Sequence, residues 1–198
     1  MTPIPFLEGP MGKIPITQPV VMGILNITPD SFYAGSRFSN NSHCLNVAAK
    51  MLEEGALILD IGGQSSRPGS ERISAEDEWN RIAPAVSALK KEFPTAWISV
   101  DTYYSEVAIK AISEGVDIIN DISFGEDDNK MFSTLANKNI TYIGMHKIGD
   151  PKTMQNNAEY ANVTSNVLHY LQQKVSEAQK IGLNNIWVDP GFGFAKTP

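Results

Sequence analysis

The sequence predicts an α/β fold with a parallel sheet, because short apolar segments alternate along the chain with longer amphipathic ones. The apolar segments are almost uninterrupted, as is typical of parallel strands covered on both faces. Predicted strands cover residues 20–27, 57–62, 97–101, 117–122, 140–145 and 185–189. Helical periodicity predicts helices over 42–55, 74–93, 105–115, 129–138 and 159–182. Ser74 and Asp77 predict a cap at the start of the second helix.

Polar residues at the ends of the strands favour a (β/α)8 TIM barrel over a doubly wound sheet. They fall at or near the carboxyl ends of different strands: Asn26, Asp60, Asp101, Asn120, His146 and Asp189. A barrel collects such residues on one rim, whereas a doubly wound sheet uses one switch point. Eight strands and about 250 residues are typical of a barrel. We therefore expect residues 1–198 to be one barrel domain that lacks its last two βα units.

Composition and charge limit the classes of partner. The 198 residues are 42% hydrophobic and 19% charged, which is typical of a globular protein. A net charge of −6 argues against nucleic acid or an anionic membrane as partner. The single cysteine, Cys44, fits a reducing cytosol and a core position. No signal peptide or membrane-spanning run is recognisable, so we expect a cytoplasmic protein.

The segment LDIGGQSSRPGS, residues 59–70, predicts an anion-binding loop after the second strand. Its paired glycines allow close approach to a ligand, and Ser66 and Arg67 supply hydroxyl and guanidinium donors. Pro68 helps to fix the shape of the loop. The alternative is an ordinary exposed turn. We interpret Asp60 as a structural residue that holds this loop.

Three further strand ends carry groups suited to a flat heterocycle. Carboxylates accept paired N–H donors and an amide both donates and accepts, so Asp101, Asn120 and Asp189 suit an amino-pyrimidinone edge. Met145 could pack on such a ring. Asn26, before the loop TPDSF, could ligate Mg²⁺ or equally cap a turn. The segment DPGFGF, residues 189–194, offers aromatic surface on a glycine-rich loop.

Taken in order, MGILNITPDSF, DIGGQSSRPGS, ISVDT, INDIS, MH and DPGFGF resemble the motifs of the dihydropteroate synthase family over the chain from Val20 onward. The resemblance implies a (β/α)8 barrel. It also implies that 7,8-dihydropterin pyrophosphate and p-aminobenzoate condense to 7,8-dihydropteroate and pyrophosphate, with Mg²⁺ as cofactor. It further implies a dissociative mechanism, competition by sulfonamides, and a homodimer when the chain has its full length.

The resemblance also assigns roles to individual residues. Catalytic roles fall on Asn26, Arg67 and Asp101, and Asn26 is the implied Mg²⁺ ligand. The implied pterin-binding residues are Asp101, Asn120, Met145, Asp189 and Gly193. The implied pyrophosphate and p-aminobenzoate residues are Phe32, Ser66, Arg67, Pro68 and Phe194.

Several positions depart from the family pattern. Ala34 replaces a common acid, and Gln64 stands where glutamate is usual. The family's strand-seven lysine and its strand-eight arginine and histidine are not in these 198 residues. Two alternatives follow. One is a pterin-binding methyltransferase, which the SRPG and TPDSF loops disfavour; the other is a non-catalytic pterin-binding protein.

Overall fold

Six parallel strands form the central sheet of the protein. The computed structural model describes residues 4–27, 37–64, 72–147, 160, 162–194 and 196. The parallel strands are β3 (Val21–Asn26), β4 (Ala56–Gly62), β5 (Trp97–Asp101), β6 (Ile118–Asp121), β7 (Thr141–Met145) and β8 (Ile186–Asp189). Their spatial order, β3-β4-β5-β6-β7-β8, is their order along the chain. All six predicted strands are confirmed, as is the α/β class.

Helices follow the strands in alternation, as the sequence predicts. They are α1 (Arg37–Glu53), α2 (Ala75–Glu92), α3 (Ser105–Ser113), α4 (Met131–Leu135) and α5 (Val163–Ile181). Helix α1 begins five residues earlier than its periodicity indicates, at Arg37 rather than at 42. Ser74 caps α2, since its hydroxyl accepts a hydrogen bond from the Asp77 N–H at 3.1 Å. None of the helices in the described ranges is both long and apolar enough to cross a membrane.

The sheet separates two hydrophobic layers, because successive side chains on a strand point to opposite faces. The outer layer packs sheet residues such as Ile61, Val100 and Ile119 against the helices. Cys44 belongs to this layer, as predicted, and burial raises the pKa of its thiol to about 11. The inner layer contains Ile58, Trp97 and Ile118, with Met22, Ile143 and Trp187 packed against them.

A β-hairpin closes the amino-terminal end of the inner layer. Strands β1 (Phe6–Gly9) and β2 (Gly12–Pro15) pair antiparallel. Leu7 is buried in the inner cluster, and Thr141 at the start of β7 exchanges two 2.8 Å hydrogen bonds with the Glu8 backbone. The hairpin therefore covers the amino-terminal ends of the strands and leaves their carboxyl ends as the accessible side.

Candidate functional site

A row of polar residues crosses the inner face at the carboxyl ends of the strands. Asn26 lies opposite Gly62, Gly62 opposite Asp101, and Asp101 opposite Asn120 in the strand register. Each lies an even number of residues beyond an inner-layer residue of its own strand, so the four positions share that face. The register thus brings together three of the predicted site residues.

Gly62 provides space between two of these side chains. A Cβ atom added there would lie 3.5 Å from Asp101 Oδ2 and 3.7 Å from Asn26 Oδ1. The amide oxygen of Asn26 and the carboxylate of Asp101 therefore both border the volume that Gly62 leaves open. Asn26 is exposed and Asp101 is partly exposed, which makes this volume accessible to a ligand.

Asp60 lies on the same face beside Asn120, whereas most of the loop that we expect it to hold lies outside the described residues. It is two residues before Gly62, so its side chain points to the inner face. Its Oδ2 accepts a 3.0 Å hydrogen bond from Asn120 Nδ2, which orients the amide of Asn120. Its Oδ1 is buried without a hydrogen-bond partner among the described residues. The two-residue alternation from Ile58 could have identified Asp60 from the sequence.

Three further carboxyl groups lie close enough to Asp101 to disfavour its ionised form. Burial raises the pKa of Asp101 well above its usual value, and the neighbouring carboxyls of Asp60, Glu78 and Asp121 raise it further. Burial also raises the pKa of Asp60. No ion pair joins Asp60 or Asp101 to a lysine or arginine within the described ranges. Hydrogen-bond donors of a ligand would therefore find strong acceptors here.

Asp189 and Met145 form a second part of the site. They are opposite each other in the register of β7 and β8, two residues beyond the inner-layer pair Ile143 and Trp187. Asp189 Oδ1 accepts a 2.7 Å hydrogen bond from the Gly191 N–H. Met145 is buried, and a Cβ added at Gly191 would lie 3.1 Å from its Cγ. The sequence had assigned Met145 and Asp189 to the ring-binding set, and the fold places both on the inner face.

Lys196 organises the loop after β8, a role that the sequence did not indicate. Its ammonium lies 3.0 Å from His146 Nδ1 and donates to the carbonyls of Gly191 at 2.9 Å and Phe194 at 3.0 Å. Burial lowers the pKa of Lys196, and Asp189 opposes this shift. The lysine thereby holds the predicted loop residues Gly193 and Phe194 beside the end of β7.

Four predicted site residues lie outside the described residues: Phe32, Ser66, Arg67 and Pro68. Of the two departures from the family pattern, Ala34 lies outside the described residues, and Gln64 is the last residue described before the loop. Among the described residues, no group of three histidine, cysteine, aspartate or glutamate side chains could hold a metal ion. Asn26, the magnesium ligand that the resemblance implies, lies within the described residues at the end of β3.

Comparisons with known proteins agree with this geometry. The family described as "Pterin binding enzyme" matches residues 22–198. A pea protein named folate synthesis bifunctional protein, mitochondrial, is 45% identical over 183 residues, covering 89% of this chain and 36% of its own length. Dihydropteroate synthase of Streptococcus pyogenes serotype M1 is 41% identical over 179 residues, covering 89% of this chain and 64% of its own.

Solved structures give the same result for the fold. The crystal structure of Yersinia pestis dihydropteroate synthase with a sulfonamide drug superposes with a TM-score of 0.87 at 34% identity. The superposition covers 97% of this chain and 70% of the Yersinia chain. The resemblance to dihydropteroate synthases is therefore confirmed, and so is the predicted barrel fold, six strands of which lie in the described residues.

Proposed function

Since the chain belongs to the family of pterin-binding enzymes, we propose that the full-length protein is a dihydropteroate synthase of folate synthesis. Its substrates are 7,8-dihydropterin pyrophosphate and p-aminobenzoate, and its products are 7,8-dihydropteroate and pyrophosphate. The row of Asn26, Asp101 and Asn120 around Gly62 is the observation that carries this proposal. We infer from this row that its carboxylate and amide accept hydrogen bonds from the ring, while the neighbouring Asn26 offers an oxygen to a cation bound by pyrophosphate.

Pterin recognition depends on the carboxylate that Asp101 contributes to the row. The amino-pyrimidinone edge of a pterin presents adjacent N–H donors, and a carboxylate can accept two of them. Asp101 is suited to this role because its ionised form is destabilised until donors arrive. Asn120, oriented by Asp60, completes the polar contacts, while Asp189 and Met145 hold the far side of the ring.

The reaction transfers the pterin methylene group from oxygen to nitrogen. The bond between the methylene carbon and the pyrophosphate oxygen breaks, and its electron pair leaves with pyrophosphate. The arylamine nitrogen of p-aminobenzoate then forms the new C–N bond and loses a proton. In this dissociative mechanism the C–O bond breaks before the C–N bond forms. The species that most need stabilisation are therefore the pterin cation and the negative charge on the leaving pyrophosphate. Arg67 and Ser66 would donate to the departing pyrophosphate, and excluding water would protect the cation.

Magnesium fits the site as a cation held mainly by water and phosphate oxygens. Mg²⁺ in such sites takes one or two protein oxygens and keeps several waters. Asn26 Oδ1, at the exposed end of β3, is a suitable protein ligand. When bound, Mg²⁺ would neutralise charge on the pyrophosphate group.

The p-aminobenzoate pocket is proposed around three apolar side chains: Phe32, Pro68 and Phe194. Of these, only Phe194 belongs to the described residues, where the Lys196 contact fixes its backbone carbonyl. Sulfonamides would compete at this pocket. A homodimer and a cytoplasmic location are part of the same proposal, although the matching pea protein is named mitochondrial.

The experiment is a pyrophosphate-release assay with the full-length protein, 7,8-dihydropterin pyrophosphate and Mg²⁺, with and without p-aminobenzoate. The proposal expects release that depends on p-aminobenzoate, and formation of dihydropteroate in equal amount. Pterin binding without release would instead make the protein a non-catalytic pterin binder. Absence of pterin binding would refute the proposed function.

A further inference from the structure

Glu78 is a buried carboxylate outside the polar row, although its charge acts on Asp101 and raises the pKa of that carboxyl. It lies on α2 and is 1% exposed, and the other buried residues of that helix are apolar: Ile82, Ala85, Val86 and Leu89. Burial raises the pKa of Glu78 to about 7, although Thr102 and Arg81 oppose the shift. An ionisable side chain at such a position is unfavourable unless it forms a specific contact.

The specific contact of Glu78 is with Thr102, the residue that follows Asp101. The Thr102 hydroxyl donates a 2.9 Å hydrogen bond to Glu78 Oε2 and accepts a 3.1 Å bond from the Tyr104 N–H. The Thr102 N–H donates to the Asn120 carbonyl at 2.9 Å. Thr102 therefore joins the ends of β5 and β6, which carry the two central residues of the polar row.

The same turn of α2 also holds the end of β4. A Cβ atom added at Gly63 would lie 3.1 Å from both the Cγ and the carbonyl oxygen of Glu78. Arg81 Nη1 donates a 3.2 Å hydrogen bond to the Gly63 carbonyl. Gly63 follows Gly62, which forms the open volume between Asn26 and Asp101. One helical turn thus contacts the ends of two adjacent strands of the site.

We propose that Glu78 is a positioning residue for the pterin pocket, which it acts on through Thr102 and Gly63. It fixes Asp101 and Asn120 relative to the space at Gly62 without contacting the ligand. This inference rests on the proposed pterin-binding function for its effect on ligand affinity. The positioning itself is a property of the free protein and can be measured without a ligand.

The test uses Thr102→Val and Thr102→Ser in the full-length protein. Valine is close to threonine in shape but lacks the hydroxyl, whereas serine keeps it. Thr102→Val should weaken binding of 7,8-dihydropterin pyrophosphate about tenfold, as expected for a lost buried hydrogen bond. The KM for p-aminobenzoate should not change, because Thr102 and the residues it contacts are not among those proposed to bind p-aminobenzoate. Thr102→Ser should restore pterin affinity.

A ligand-free measurement separates this inference from the proposed function. The carboxyl carbon resonance of Asp101 and the side-chain amide resonances of Asn120 should move in Thr102→Val and stay near wild type in Thr102→Ser. If the two variants leave these resonances equally unchanged, the positioning role is refuted, whatever the pterin affinity. It is also refuted if Thr102→Val weakens pterin and p-aminobenzoate binding to the same extent. Failure of the wild-type protein to bind pterin refutes the proposed function instead.

Discussion

Replacing Glu78 by glutamine should stabilise the protein at alkaline pH far more than at acidic pH. Glutamine keeps an oxygen that can accept the Thr102 hydroxyl bond but cannot ionise. In the wild-type protein, folding raises the pKa of Glu78 from 4.5 to about 7, chiefly through burial. Above its unfolded-state pKa, the carboxyl ionises more readily in the unfolded chain, so its contribution to stability falls as pH rises through the folded-state pKa.

The two pKa values determine the size of the effect. The pKa of Glu78 is 4.5 in the unfolded chain and about 7 in the folded protein. This difference corresponds to about 3 kcal/mol of the free energy of unfolding, which is present at low pH and is absent once the pH exceeds 7. Between pH 5 and pH 8, the wild-type protein should lose about 2.5 kcal/mol through this one group. Glu78→Gln does not undergo this loss. Its stability relative to wild type should therefore rise by about the same amount over that range.

Urea unfolding of both proteins at pH 5 and pH 8 measures this difference directly. Other carboxyls titrate in both proteins, so most of their contributions cancel in the comparison. Glu106→Gln is a matched control for the loss of one carboxyl group, since Glu106 is an exposed acid on α3. An equal stability difference between Glu78→Gln and wild type at both pH values would refute the reasoning.

Further predictions concern two adjacent glycines and one lysine. Gly62→Ala should keep the free energy of unfolding within about 1 kcal/mol of wild type. It should nevertheless abolish pterin binding, because the added methyl group fills the pocket; normal pterin binding would contradict this. Gly63→Ala should lower stability by about 1–3 kcal/mol in urea unfolding, because its Cβ would lie 2.8 Å from Ile82 Cγ2; wild-type stability would contradict it. Burial and then the Lys196 ammonium lower the pKa of His146, so Lys196→Met should raise that pKa toward its usual range in an NMR titration; an unchanged pKa would contradict this.

The strands and the polar row were predictable because both follow from local patterns. Apolar runs defined β3 to β8, and the polar residue at each strand end marked the accessible side. The alternation that places Asn26, Asp101 and Asn120 on one face is the same two-residue period that defines a strand. The family motifs then supplied the chemistry of the ligand.

Long-range packing explains what the sequence did not predict. The hairpin at the bottom of the sheet depends on the contact of Leu7 with residues more than fifty positions later. Glu78 gave a weaker signal, an acid at a core position of the α2 stripe, whose meaning depends on its distant partner Thr102. Lys196 acts through His146 and two backbone carbonyls, which no spacing in the sequence reveals.

The proposed function depends above all on the binding of a pterin by Asp101 in the inner-face row. The most direct test is calorimetric titration of the full-length protein with 7,8-dihydropterin pyrophosphate, comparing wild type, Asp101→Asn and the surface control Glu106→Gln. We expect Asp101→Asn to bind about a hundredfold more weakly, because hydrogen bonds to a charged acceptor are lost, and Glu106→Gln to bind like wild type. Wild-type affinity in Asp101→Asn would contradict it.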